Sequence, residues 1–327
     1  MSERNEMNNL LEVRGLKKYF SLRQGFLSGG QGLVRAINGV DLKINRGETL
    51  GLVGESGCGK STLGRLLVKL DEPTEGSILF EGEDIQGFRG ESLHAYRRQV
   101  QIIFQDPYAS LNPRMAAGKI IGEPFIIHKQ ASRRKTKDEV ARLMEVVGLS
   151  PDQMQRYPHE FSGGQRQRIG IARAVALKPK LVIADEPVSA LDVSIQAQIL
   201  NLLKDLQRDF GLTYLFITHD LSVVRHMSDR IAVMYLGKIV DLAENRELFR
   251  RPLHPYTMAL LSAVPAPEPG RKKERIMLNG DMPNPLDLPA GCAFHPRCSF
   301  RFGICDKVGP LLRERGEGHF VACHLEN

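Results

Sequence analysis

The chain has 327 residues, a net charge of +7, and 42% hydrophobic and 25% charged residues. This is the profile of a globular protein with room for one large domain and a smaller appendage. Its longest apolar runs, such as Leu181–Ala184, are too short to span a bilayer, and the polar leader Met1–Asn9 lacks the apolar core of a signal peptide. Basic residues interleave with acids, as at Glu139, Arg142 and Glu145. The densest basic cluster, Arg133-Arg134-Lys135 with Lys137, has no aromatic neighbours for base stacking, so it reads as a solvated helix start and not as a nucleic-acid surface.

In chain order, Leu10–Leu16 and Val34–Ile44 alternate apolar and polar residues like strands, with a Gly- and Ser-rich loop, Gly25–Gly32, between them. A buried strand is expected at Thr49–Val53, then a glycine-rich turn and an apolar helix at Ser61–Leu70, and a further strand at Val100–Phe104. Pro107, Pro113, Pro124, Pro151 and Pro158 punctuate residues 106–160, which read as a helical insertion with segments such as Lys137–Val147. A helix at Gln165–Leu177, a strand at Leu181–Ala184, a helix at Ile195–Asp209 and a strand at Thr213–Thr218 follow. Strands alternating with helices predict an α/β fold with a mainly parallel sheet. Beyond Arg250 prolines become dense (Pro265, Pro267, Pro269, Pro283, Pro285, Pro289), so a boundary is expected near Arg251, followed by a small loop-rich domain. No internal repeat is visible.

Gly54-Glu55-Ser56-Gly57-Cys58-Gly59-Lys60-Ser61, with Thr62 next, satisfies G-x-x-x-x-G-K-S/T between an expected strand and an expected helix. Such a loop needs glycines so that backbone N–H groups can approach phosphate oxygens, and the helix start adds to anion binding. Lys60 would reach the β- and γ-phosphates and Ser61 would ligate Mg²⁺. Cys58 occupies a variable position and is assigned no chemistry. Leu181-Val182-Ile183-Ala184-Asp185-Glu186 is an apolar run ending in two carboxylates. By itself it would be a strand and an acidic turn. Beside a phosphate loop, Asp185 reads as a Mg²⁺ holder and Glu186 as the general base for the attacking water.

Phe161-Ser162-Gly163-Gly164-Gln165 opens the helix Gln165–Leu177 and offers a second Gly-rich helix start suited to a phosphate. With this motif the sequence resembles the ABC ATPase family over about residues 10–250. The resemblance implies a P-loop ATPase domain with a helical subdomain, working head to tail with a second, homologous but non-identical ATPase subunit. Ser162, Gly163, Gly164 and Gln165 would then meet the ATP bound to the opposite subunit; Phe161 departs mildly from the usual leucine. Gln105 resembles the Q-loop glutamine that senses Mg²⁺ and the membrane partner, Ser189-Ala190-Leu191-Asp192 the D-loop crossing the dimer interface, and His219 the switch histidine near the γ-phosphate. Phe20 is aligned as the adenine-stacking ring, with Tyr19 as the alternative.

Gln105-Asp106-Pro107-Tyr108-Ala109-Ser110-Leu111-Asn112-Pro113 and Arg251-Pro252-Leu253-His254-Pro255-Tyr256-Thr257 look like the ATPases of oligopeptide and dipeptide importers; nickel and glutathione importers share these stretches. The resemblance implies an ATPase at the cytoplasmic face of the membrane that drives two transmembrane permease subunits and, indirectly, a solute-binding protein. Ribosome-acting relatives carry two ATPase halves, and DNA-maintenance relatives carry long coiled coils. Neither feature is present here.

Cys292, Cys298, Cys305 and Cys323 crowd the Pro- and Gly-rich end of the chain. A reducing cytosol disfavours disulfides. Spacing leaves zinc and a four-thiolate iron–sulfur cluster both open. The family resemblance implies a 4Fe–4S cluster with a structural role, with His295, His319 and His324 as substitute ligands, because the segment has few apolar residues on which to fold.

Overall fold

A computed structural model describes residues 8–23, 31–130, 132–264, 275–278, 280–316 and 318–325. Much of the expected Gly25–Gly32 loop and of the Met1–Asn9 leader lies outside the described residues, as do Pro265, Pro267 and Pro269. The chain opens with β1 (Asn9–Arg23), β2 (Gln31–Asn45) and β3 (Thr49–Val53), then α1 (Lys60–Leu67), β4 (Glu75–Phe80) and β5 (Glu83–Asp84). Next come α2 (Gly90–Gln99), β6 (Val100–Ile103), α3 (Pro107–Ser110), α4 (Ala117–Ile127), α5 (Arg133–Val146) and α6 (Gly163–Val175). After these follow β7 (Leu181–Asp185), α7 (Val193–Phe210), β8 (Thr213–Thr218), α8 (Leu221–Met227), β9 (Arg230–Tyr235) and β10 (Lys238–Glu244). The last elements are α9 (Asn245–Arg250), α10 (Pro255–Ser262), β11 (Arg313–Glu314) and β12 (Phe320–Val321). Two compact units result: one includes residues 45–48 and 87–217, the other residues 9–44, 49–86 and the chain after Thr218.

In the first unit β6, β7 and β8 run parallel, with Ile102 opposite Ile183 and Asp185 opposite Ile217. Every residue of β7 and β8 is buried. Strands covered on both faces read as continuous apolar runs rather than alternating ones, which is why these were legible. The strand at Thr213–Thr218 lies where the pattern put it, and Gly211, left-handed at φ 66°, stops α7 just before it. Arg134, Lys135 and Lys137 are exposed at the start of α5, as the solvated-helix reading requires.

The insertion is helical, but Pro124 does not break it: α4 runs through the proline. A proline inside a helix loses one backbone hydrogen bond and crowds the preceding turn. Here Ile120, Ile121 and Phe125 are buried on α4, and Val140, Leu143 and Met144 recur at helical spacing on α5. That apolar surface, at about 2 kcal/mol per large side chain, outweighs the proline's cost.

In the second unit β1, β2, β4 and β5 form a sheet in the order β2-β1-β4-β5, with β4 antiparallel to both β1 and β5. β3 pairs parallel with β9, β9 antiparallel with β10, and β12 adds to β10 through Asp241 opposite Val321. Val53, Val224, Tyr235, Leu248, Tyr256 and Phe294 share one buried core, against which Cys292 and Cys298 also pack.

Candidate functional site

The second unit presents the phosphate loop at the end of β3. A Cβ on Gly59 would lie 2.3 Å from the carbonyl oxygen of Ala36, and its φ is +111°. Backbone approach and backbone conformation therefore both require glycine at the turn into α1. A Cβ on Gly54 would meet the Met234 carbonyl at 2.2 Å. Lys60 is 5% exposed, and its Nζ donates to the carbonyls of Gly54 (2.7 Å) and Glu55 (2.9 Å). The ammonium thus spans the loop it belongs to, positioned for an incoming anion. Ser61 and Thr62 follow it on α1, while Ser56 and Gly57 lie on the loop's outer turn. Cys58 is buried, and desolvation pushes its thiol up against the opposing pull of Lys60, which keeps it protonated and unreactive.

In the same unit, Phe20 is 38% exposed with the Lys18 ammonium 4.9 Å from its ring centroid, whereas the Tyr19 hydroxyl donates to Asn38 Oδ1 at 3.0 Å. Phe20 is the more exposed of the two rings. His219 is exposed between the end of β8 and α8, whose start is capped by Asp220 Oδ1 accepting from the N–H of Ser222 (2.8 Å).

The first unit brings Gln105 and Glu186 together: Gln105 Nε2 donates to Glu186 Oε2 at 2.9 Å. Asp185 is 7% exposed at the carboxyl end of β7. Glu186 sits at φ 46°, a left-handed conformation costly for a non-glycine residue. Its N–H donates to the Ile217 carbonyl (2.9 Å), and its own carbonyl accepts from the Ser189 hydroxyl (3.1 Å). Ser162 caps α6 in a reciprocal box: its Oγ accepts from the Gln165 N–H (3.3 Å), and Gln165 Oε1 accepts from the Ser162 N–H (3.0 Å). A Cβ on Gly164 would meet Ile195 at 2.6 Å, so glycine lets α6 pack closely on α7. Phe161 is buried, which accommodates its departure from leucine. Asp192 opens α7, its carbonyl accepting from the Gln196 N–H (2.8 Å).

The expectation of an iron–sulfur or zinc site is overturned. Cys292, Cys298, Cys305 and Cys323 line one small cavity with His295 and His324. Yet among the described residues no group of three or more His, Cys, Asp or Glu side chains could hold a metal ion. The premise that the segment cannot fold on burial also fails. Phe294 packs on Tyr235 (ring centroids 5.2 Å) and Tyr256 (5.4 Å), β12 pairs with β10, and the Asp241 carboxylate meets the His319 ring at 2.8 Å with both groups buried. Burial pushes the Cys292 thiol up to about 11 and raises those of Cys298 and Cys323.

Several structural partners carry no motif. The ring of His254 accepts from the Tyr256 N–H at 3.0 Å and caps α10, while the His254 N–H donates to Asp241 Oδ2 (3.1 Å). The Glu55 N–H donates to the Tyr256 hydroxyl (2.9 Å), and Arg297 Nη1 reaches both Glu55 carboxylate oxygens at 3.1 Å. The Arg251–Thr257 stretch marked its neighbourhood as distinctive; nothing local in sequence pointed to Arg297.

A glycine-built phosphate loop after one buried strand, and paired carboxylates after another, define a P-loop nucleotide hydrolase. Residues 37–189 match the ABC transporter family, and residues 240–305 match the oligopeptide/dipeptide transporter C-terminal region. An oligopeptide transport ATP-binding protein of Bacillus subtilis is 55% identical over 97% of each chain. A dipeptide transport ATP-binding protein of Escherichia coli K12 is 49% identical over 96% of this chain and 93% of its own. An ATP-binding cassette solved as a dimer in a post-hydrolysis state with ADP and Pi is 28% identical, with a TM-score of 0.64, covering 72% of this chain and 99% of that one. The chain belongs to the ATP-binding proteins of ABC transporters, in the branch that carries the oligopeptide/dipeptide C-terminal region. It is an ATPase, with ATP and Mg²⁺ as its nucleotide and metal.

Proposed function

We propose that this chain energises the import of dipeptides or oligopeptides, working as one of two ATPase subunits beneath a pair of transmembrane permease subunits. The observation that carries this reading is the 55% identity to an oligopeptide transport ATP-binding protein over 97% of both chains, C-terminal region included. Peripheral placement at the cytoplasmic face follows from that role. Among the described residues, no helix is long and apolar enough to cross a membrane itself.

Residues 10–250 form the engine in this proposal, and residues 251–327 an importer-type appendage. Backbone N–H groups of Gly54–Ser61 with Thr62 cradle the phosphates, Lys60 contacts the β- and γ-oxygens, and Phe20 stacks on adenine. Ser61, Gln105 and the buried Asp185 each carry an oxygen donor of the kind a hard cation prefers, and they are the residues that would hold Mg²⁺. Bound there, Mg²⁺ would supply charge neutralisation to the phosphates. Glu186 takes a proton from the attacking water, held in register by Gln105. His219 senses the γ-phosphate. Ser162, Gly163, Gly164 and Gln165 close on the ATP of the opposite subunit, with Asp192 beside the interface. The cassette solved as a dimer with ADP and Pi supports that arrangement by analogy.

Tyr108 (65% exposed, with the Arg166 guanidinium 3.7 Å from its ring centroid), Ile126 (69%) and Ile127 (54%) form the proposed contact for the permease. Reconstitution with the permease subunits and a peptide-binding protein in proteoliposomes tests the reading. ATP-dependent accumulation of a labelled dipeptide or oligopeptide is expected; uptake of nickel or glutathione without peptide would overturn the substrate assignment.

A further inference from the structure

Every polar group of Glu55, the first variable position of the phosphate loop, is engaged. Its N–H donates to the Tyr256 hydroxyl, its carbonyl accepts from Lys60 Nζ (2.9 Å) and from the Cys58 N–H (3.3 Å), and its carboxylate meets Arg297. Two of these partners come from the C-terminal part of the chain, 201 and 242 residues away. They are also tied to each other. Tyr256 is fully buried, Phe294 packs edge-on against Tyr235 and at a tilt against Tyr256, and the Arg297 N–H donates to the Phe294 carbonyl at 3.0 Å. The Arg297 side chain is 9% exposed and that of Glu55 29%, so solvent screens the pair less than a surface contact. A carboxylate on a loop that receives a polyanion opposes binding unless a cation neutralises it.

We propose that Arg297 and Tyr256 are positioning residues for ATP: Tyr256 fixes the Glu55 backbone, and Arg297 fixes and neutralises its carboxylate. This rests on the reading of Gly54–Ser61 as the ATP site. The C-terminal part of the chain thereby acts on nucleotide affinity without touching nucleotide.

The test is calorimetric titration of the full chain with Mg-ATP and Mg-ADP at low and high salt. Arg297→Met is expected to weaken ATP about tenfold, the scale of one lost charge-assisted hydrogen bond. ADP should be weakened less, and the difference should shrink in salt, because the defect is an exposed negative charge facing a smaller anion. Arg297→Lys should recover most of the affinity, and Arg297→Met combined with Glu55→Gln should bind ATP better than Arg297→Met alone. Tyr256→Phe should weaken ATP and ADP equally. Wild-type affinity in Arg297→Met, or an equal loss for ATP and ADP that Glu55→Gln does not relieve, overturns the proposal. If Arg297→Met is insoluble, near-normal ATP affinity in both Arg297→Lys and the neutral double variant supports it, and weak binding in either overturns it. Wild type and Lys60→Ala are titrated alongside: a wild type that takes up no ATP would sink the phosphate-loop reading itself, whereas normal wild-type binding with unaltered Arg297 variants sinks only the positioning role.

Discussion

The phosphate loop and the turn carrying Glu186 both follow a buried strand, but they are held in different ways. Lys60 is buried and bonded to carbonyls five and six residues before it, and the glycines around it are dictated by backbone already in place. Glu186 is held at its carboxylate by a side chain 81 positions away and stays in a left-handed conformation by bonds to Ile217 and Ser189. The Lys60 ammonium is therefore held within its own loop, while the Glu186 carboxylate is held by a neighbouring loop. Substitutions should separate the two.

The sharpest separation is expected from Glu186→Gln against Lys60→Ala. The glutamine keeps shape and hydrogen bonding but loses the base, so turnover should fall roughly 10²–10⁴-fold with ATP still bound. Lys60→Ala should lose ATP binding instead. Nucleotide titrations beside steady-state turnover read both, and near-normal hydrolysis by Glu186→Gln would remove it as the base.

Acid should loosen the phosphate-loop side of the molecule. Burial lowers the His254 pKa to about 4. Above about pH 6.5 this imidazole is neutral folded and unfolded; between there and 4 only the unfolded chain takes the proton. Stability should fall as pH drops through that window, by at most about 3 kcal/mol. His254→Asn keeps a capping acceptor for α10 and should flatten the slope in thermal melts between pH 4 and 8. An unchanged slope would assign the effect elsewhere.

Gly59→Ala forces a Cβ into the Ala36 carbonyl at a φ that alanine resists, and should cost about 1–3 kcal/mol in denaturant midpoint together with loss of ATP binding. The smallest effect is expected on the hydrolytic side. Gln105→Ala removes one hydrogen bond to an accessible carboxylate, about 1 kcal/mol, and should slow turnover several-fold with ATP affinity intact. Loss of ATP affinity there would blur the division between the two.

What could be read from sequence follows the same division. The loop Gly54–Ser61, the strand ending in Asp185 and the helix opened by Ser162 are contiguous patterns whose chemistry and backbone demands coincide. Gln105 on Glu186 and Arg297 on Glu55 join distant positions, and no periodicity reports them. Pro124 is among the prolines that punctuate the insertion in sequence, yet buried neighbours carry α4 through it. The cysteine-rich end misled in a different way. Its composition looked too poor in apolar residues to fold, because the aromatic rings that bury Phe294 belong to β9 and α10.

One consequence concerns the margin of the second unit's sheet. β10 is buried from Ile239 to Ala243, and without β12 its outer hydrogen-bonding groups would be open to any passing strand. Phe320 and Val321 cover it, the Ala322 N–H donates to the Val240 carbonyl (2.9 Å), and the new margin is the two-residue, exposed and charged Arg313–Glu314. Short charged margins are how sheets resist sticking to one another. Residues 313–322 thus shield that margin, and a protease nick before β11 is expected to raise aggregation, which light scattering of nicked and intact chain would read.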